Sequence, residues 1–210
     1  MNHTNMKRYL THIITYVLLI ISSINAYAID ANSALNNVAK KFSSSKSISA
    51  TFSLIDNGHS EYGTIILSGN KFVIKTKEVS TWFDGKTQWS YSSSINEVNI
   101  SEPTATELQQ INPFAIINNF KTAFNAKLLN SPKGSYKILL TAKDGKQPTK
   151  SVELTINSAT NFPSLIVITA KNNSKATIKI KIINAGDKLP ESTFKFNPKN
   201  YPGVEIIDLR

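Results

Sequence analysis

From residue 49 onward the chain alternates. "SATFSLI" (49–55) sets Ala50, Phe52 and Leu54 against polar neighbours, and "YGTIILS" (62–68), "KFVIKTK" (71–77), "VSTWF" (79–83) and "TQWSYS" (87–92) follow at short intervals. A second series reads "YKILLTA" (136–142), "SVELTIN" (151–157), "SLIVITAK" (164–171), "ATIKIKIIN" (176–184) and "TFKF" (193–196). A period of two puts alternate side chains on opposite faces of a strand. Asp144-Gly145, Asn172-Asn173 and Ala185-Gly186-Asp187 mark turns between them. Such gaps are too short for crossover helices, so the strands run antiparallel as a meander. The reading is a mainly β chain with about 10–11 strands.

Two segments keep a different period. In "IDANSALNNVAKKFSS" the residues Ala31, Leu35, Val38, Ala39 and Phe42 fall at helical spacing, with Asp30 or Asn32 as the expected N-cap. "EPTATELQQINPFAIINNFKTAF" (102–124) reads as two short helices. Thr104 and Glu107 have capping-box spacing. Asn112-Pro113 is expected to open the second helix, as cap and first residue. Ile111, Phe114, Ile117 and Phe120 give that insert one apolar side.

Strand number and helix number together imply a hollow. Ten or eleven strands ~4.8 Å apart make a flat sheet roughly 50 Å wide. Three short helices, each ~10 Å across, cover about 30 Å of it. The sheet is therefore expected to curl, and if the helices do not fill its concave face an apolar cavity remains there. An apolar cavity left empty is destabilising, which points to an apolar ligand.

Composition narrows the chemistry. Both tryptophans lie in "WFDGKTQWSY" (82–91). A two-residue Asp84-Gly85 turn would pair Trp82 with Thr87. It would set Trp82, Thr87, Trp89 and Tyr91 on one face, opposite Phe83, as either core or a ligand wall. The chain has no cysteine and three histidines, of which His3 and His12 precede residue 29. A cysteine nucleophile is excluded, any Ser-His-Asp triad must use His59, and multi-histidine zinc sites are out. No enzyme, cofactor or metal site is expected.

Lys7 and Arg8, the apolar run 13–24 and Ala26-Tyr27-Ala28 have the layout of a secretory signal peptide cleaved after Ala28. Residues 29–210 then form one domain. Its net charge is +8, since Lys7 and Arg8 leave with no acid. The lysines are scattered on polar strand positions, so nucleic-acid binding is not expected.

Four segments in register resemble one family. "FDGKTQWSY" (83–91), "ISATFSL" (48–54), "NPFAIIN" (112–118) and "FKFNPKNYPGVEIID" (194–208) are similar to the hairpin, first strand, lid helix and closing segment of the LolA-like periplasmic outer-membrane lipoprotein carriers. The resemblance implies a half-open antiparallel β-barrel whose concave apolar face is closed by the N-terminal helix and the lid helices, in a monomeric periplasmic chaperone that shields the acyl chains of lipoproteins. It would accept them from an inner-membrane ABC-type transporter and deliver them to the outer membrane or an acceptor there. Carried over by position, Trp82, Trp89, Tyr91, Phe114, Ile117 and Phe120 would line the pocket, with Phe52, Phe72 and Ile74 added by strand parity. The family's arginine before a proline, which helps latch the lid, is missing: the chain reads Ser68-Gly69-Asn70-Lys71. A lipid- or lipoprotein-sensing or other lipid-shuttling relative of the same fold, and a carbohydrate-binding β-protein, stay open as alternatives.

Overall fold

A computed structural model describes residues 29–56, 58–145 and 148–210. The expected signal peptide, residues 1–28, lies outside them.

The described chain opens with helix α1 (Ala31–Ser44), whose N-cap Asp30 accepts from the Ser33 N–H at 2.9 Å. Six strands then run as an antiparallel meander: β1 (Ser47–Asp56), β2 (His59–Ser68), β3 (Lys71–Lys75), β4 (Val79–Phe83), β5 (Gln88–Ser92) and β6 (Glu97–Ser101). Helices α2 (Ala105–Ile111) and α3 (Ala115–Ala123) carry the chain to the opposite edge. There β7 (Phe124–Leu129), β8 (Ser135–Ala142), β9 (Thr149–Asn157), β10 (Pro163–Ala170) and β11 (Lys175–Gly186) form a second meander. Two 3-10 turns, Glu191–Phe194 and Pro198–Asn200, lead to β12 (Glu205–Asp208).

All twelve strands belong to one open sheet, ordered β12-β6-β5-β4-β3-β2-β1-β11-β10-β9-β8-β7. The half-open antiparallel architecture is as expected, with one parallel pair, β12 on β6. The two meanders join at β1–β11, where Thr51 pairs with Ile182 but Phe52 with Ile180. Lys181 is the extra residue, and such a bulge bends the sheet. Another device for close approach sits beside it. A Cβ on Gly63 would lie 2.5 Å from Phe52 Cζ and 2.8 Å from the Lys75 carbonyl oxygen, so only glycine lets the Phe52 ring lie flat there.

The helices cover the inner face. Ala34, Leu35 and Val38 of α1 and Ile116, Ile117 and Phe120 of α3 are buried against Ile138, Leu140, Val152, Leu154, Ile156 and Ile166 of the second meander. The Thr104–Glu107 capping box is present at the start of α2. Asn112 does not cap α3 as expected. It ends α2, and its Oδ1 accepts from the Phe114 N–H at 3.0 Å, so α3 begins two residues past Pro113. "TFKF" (193–196) is no strand. It enters a 3-10 turn because its residues pack onto the sheet face instead of pairing at an edge. Three strands lie beyond those expected: β6, β7 and the four-residue β12.

Candidate functional site

Parity decides which side chains face the helices. Phe72 pairs with Leu67 on one side and with Phe83 on the other, and Ile48 pairs with Leu67. These four share the inner face. The outer face of the same strands carries Ile66, Val73 and Trp82, also in register.

A cavity of about 350 Å³ remains on the inner side, between β1–β4, the end of α1 and the α2–α3 lid. Its apolar walls are Ile48, Leu67, Phe72 and Phe83 from the sheet and Phe42, Leu108 and Phe114 from the helices. The Phe42 and Phe114 rings meet at 5.5 Å, so the end of α1 and the lid share one aromatic contact. Its rim is polar and uncharged: Ser43, Ser45, Asn70, Asn112 and Asn119. Gly85 shapes the mouth. It has φ +104°, a left-handed conformation that favours glycine, and a Cβ there would stand 3.0 Å from Asn70 Nδ2. The site can take an unbranched apolar chain inside and a hydrogen-bonding group at its mouth. Among the described residues no cluster of three or more His, Cys, Asp or Glu side chains is placed to hold a metal. His59 lies exposed at the start of β2.

The residues expected to line this cavity separate into three groups. Phe72 and Phe114 line it. Ile117, Phe120, Phe52 and Ile74 lie on the same side but are packed into the core between helices and sheet, away from the cavity wall. Trp82, Trp89 and Tyr91 do share a face, but it is the opposite one. Trp82 pairs with Trp89 and Phe83 with Gln88, so Asp84 to Thr87 form a four-residue loop and not the expected two-residue turn. Asp84 Oδ1 accepts from the N–H groups of Lys86 and Thr87, at 3.1 and 2.9 Å, and this side-chain bridge stabilises the longer loop.

The tryptophans line the seat of the chain's own C-terminal segment. Phe194 is 1% exposed against Val73 and Trp82. Trp82 meets Phe196 at 5.4 Å and Tyr201 at 5.9 Å, and Tyr91 meets Tyr201 at 4.4 Å. Burial, reinforced by Tyr91, pushes the Tyr201 hydroxyl pKa up. Two ion pairs flank the strap: Lys195 with Asp84 at 3.9 Å, and Lys71 with Glu191. The hydrogen bond from Lys71, and then its charge, hold the Glu191 carboxyl below its ordinary pKa. Lys71 thus faces outward to the strap and does not replace the missing lid arginine. Asn70, one residue earlier, is the group at the cavity mouth.

Phe83 is the wall residue missing from the expected set: it lies opposite Trp82 as expected, but the cavity is on its side of the sheet and not on that of Trp82. The signal is Phe72: if it faces the cavity, the short β3–β4 turn at 76–78 brings Phe83 beside it. The aromatic pattern of "FKF" (194–196) was also unmatched, and it required an apolar seat elsewhere on the sheet.

Comparison with known proteins agrees with this architecture. No curated protein matches the chain. Among solved structures, an uncharacterised conserved protein from Thermus thermophilus superposes with a TM-score of 0.59 at 17% identity, over 85% of this chain and 98% of that one. A LolA superfamily protein from Nitrosomonas europaea aligns at 14% identity over 80% of this chain and 99% of that one, with a TM-score of 0.43. An outer membrane lipoprotein-sorting protein domain, described as putative, from Vibrio parahaemolyticus aligns at 8% identity over 80% and 96%, with a TM-score of 0.48. The family described as outer membrane lipoprotein carrier protein LolA matches residues 21–172, and the chain belongs to that family.

Proposed function

We propose that the protein is a non-enzymatic carrier that shields an acyl chain of a lipoprotein in the cavity under α2 and α3 while it crosses the periplasm. The observation that carries this reading is the cavity itself, with apolar walls and an uncharged polar rim. A methylene group needs about as much room as a water molecule, ~30 Å³, so 350 Å³ takes one chain of about 12 methylenes. Burying them gains ~10 kcal/mol at 0.8 kcal/mol per CH₂. Association itself costs ~4 kcal/mol or more, so only part of that gain is left as affinity and a single chain is held reversibly, as a carrier requires. A multiply acylated anchor would need α2 and α3 to lift. Family membership supports a lipoprotein as the cargo. An inner-membrane ABC-type transporter as donor, the outer membrane or an acceptor there as receiver, and export with cleavage after Ala28 complete the proposal.

The test is displacement of a fluorescent fatty acid by lauric acid, in the native chain and in two cavity-filling variants, Leu67→Trp and Leu108→Trp. The native chain should bind, and both variants should lose about tenfold or more in affinity, 1.4 kcal/mol or above. Leu108 is half-buried on α2, so its variant tests the cavity even if the sheet rejects an indole at position 67. Undiminished binding in a folded Leu108→Trp variant would contradict the proposal.

A further inference from the structure

The inner face of the sheet changes character at β4. From β11 through β3 it is apolar, and the cavity wall ends at Phe83. Three rows continue from there across β4, β5 and β6. Phe83, Gln88 and Ser101 form the first; Thr81, Ser90 and Asn99 the second; Val79, Ser92 and Glu97 the third. Apart from Phe83 and Val79, every side chain in them is a hydroxyl, an amide or a carboxylate. The outer face of these strands holds Trp82, Trp89, Tyr91, Val98 and Ile100, so their polarity is reversed relative to the rest of the sheet.

This strip adjoins the cavity without a break. Strands ~4.8 Å apart and alternate residues ~7 Å apart give it an extent of roughly 10 by 13 Å. That is enough for two or three backbone units of a peptide. Its inventory suits such a group, because hydroxyls and amides both donate and accept. Gln88, nearest the cavity, has a buried Oε1 with no hydrogen-bond partner among the described residues. A buried acceptor without a partner is costly, and the half-buried Gln88 side chain would gain a ligand N–H by turning its Oε1 toward the strip. The far end is acidic. Glu97 accepts from Asn99 Nδ2 at 2.7 Å, and Glu205 of β12 stands beside it in register. Two neighbouring carboxylates repel phosphate and favour an uncharged or cationic head.

We propose that this strip is a head-group subsite, holding the peptide that follows the acyl chain and discriminating against phosphate-headed lipids. The proposal rests on the carrier reading, since the chain in the cavity is what places the head on the strip. The discriminating probes share one 12-carbon chain: N-lauroyl-Ser-Ser amide and lauroyl-lysophosphatidylglycerol, each titrated by displacement of a fluorescent fatty acid. The native chain should bind the peptide conjugate about tenfold more tightly, the worth of one or two net hydrogen bonds. Ser90→Val and Asn99→Leu, checked for unchanged melting, should erase that preference while leaving the lysolipid affinity within about twofold. Glu97→Gln should raise the lysolipid affinity alone. Equal binding of both probes by the native chain, or strip variants that weaken both alike, would overturn the subsite and leave the carrier reading standing. Binding of neither probe would overturn both.

Discussion

Truncating Phe194 tests the assignment of the aromatic hairpin to the strap. Phe194 is 1% exposed, and Trp82 beneath it is 5% exposed. Replacing a buried phenylalanine by alanine costs ~3–5 kcal/mol, from lost transfer energy and the hole left behind. Domains of this size lose about 2–4 °C of melting temperature per kcal/mol, so Phe194→Ala should melt about 6–20 °C lower. The hole opens beside the Trp82 indole, so water reaches it and tryptophan emission should shift to the red in the folded protein. The cavity lies across the sheet, so lauric acid affinity should stay within about twofold of native. Thermal melting, emission spectra and displacement titration read these three quantities on one sample. A Phe194→Ala protein that melts as native, or that loses fatty-acid binding while still folded, would refute the two-sided account.

Lys71→Ala removes the pair with Glu191, but the Glu191 carboxylate is exposed, so the melting temperature should hardly move and fatty-acid affinity not at all. A large loss of binding would mean that Lys71 acts on the lid. Gly63→Val places a branched side chain against Phe52 and the Lys75 carbonyl, and should destabilise by ~1–3 kcal/mol in denaturant titration. The pKa values of Asp30 and Glu107 are lowered, for Asp30 first by its backbone bond to Ser33 and for Glu107 by that to Thr104. Depressed values stabilise the fold above the unfolded-state pKa, and the contribution is lost as pH falls through the folded one. Melting should therefore drop below about pH 4, and Asp30→Asn, which keeps a capping oxygen, should make that drop shallower.

Much of the fold was legible because alternation is a local property. Nine of the ten expected strands form, since residues such as Ile65, Leu67, Val152 and Leu154 can bury themselves only by facing one side. The exception, 193–196, has the alternation of a strand but uses Phe194 and Phe196 as anchors on a sheet face, which no local pattern distinguishes. The Asp30 cap and the Thr104–Glu107 box were readable for the same reason: each is closed within four residues. The site was harder. A loop of two residues or of four after Phe83 leaves Trp82, Trp89 and Tyr91 on one face opposite Phe83, so that grouping was legible; which of the two faces the helices cover was not. The loop length was set by an Asp84 side-chain bridge to Thr87, and the seat for the tryptophans by residues more than 100 positions later in the chain.

Where an acyl chain sits is measured most directly by crystals grown with a fatty acid brominated near its terminus. The account predicts an anomalous bromine peak in contact with Phe72, Phe83 and Phe114, inside the lid. A peak beside Trp82 and Trp89 on the outer face, or a cavity closed by side chains with bromine absent from it, would contradict the central claim.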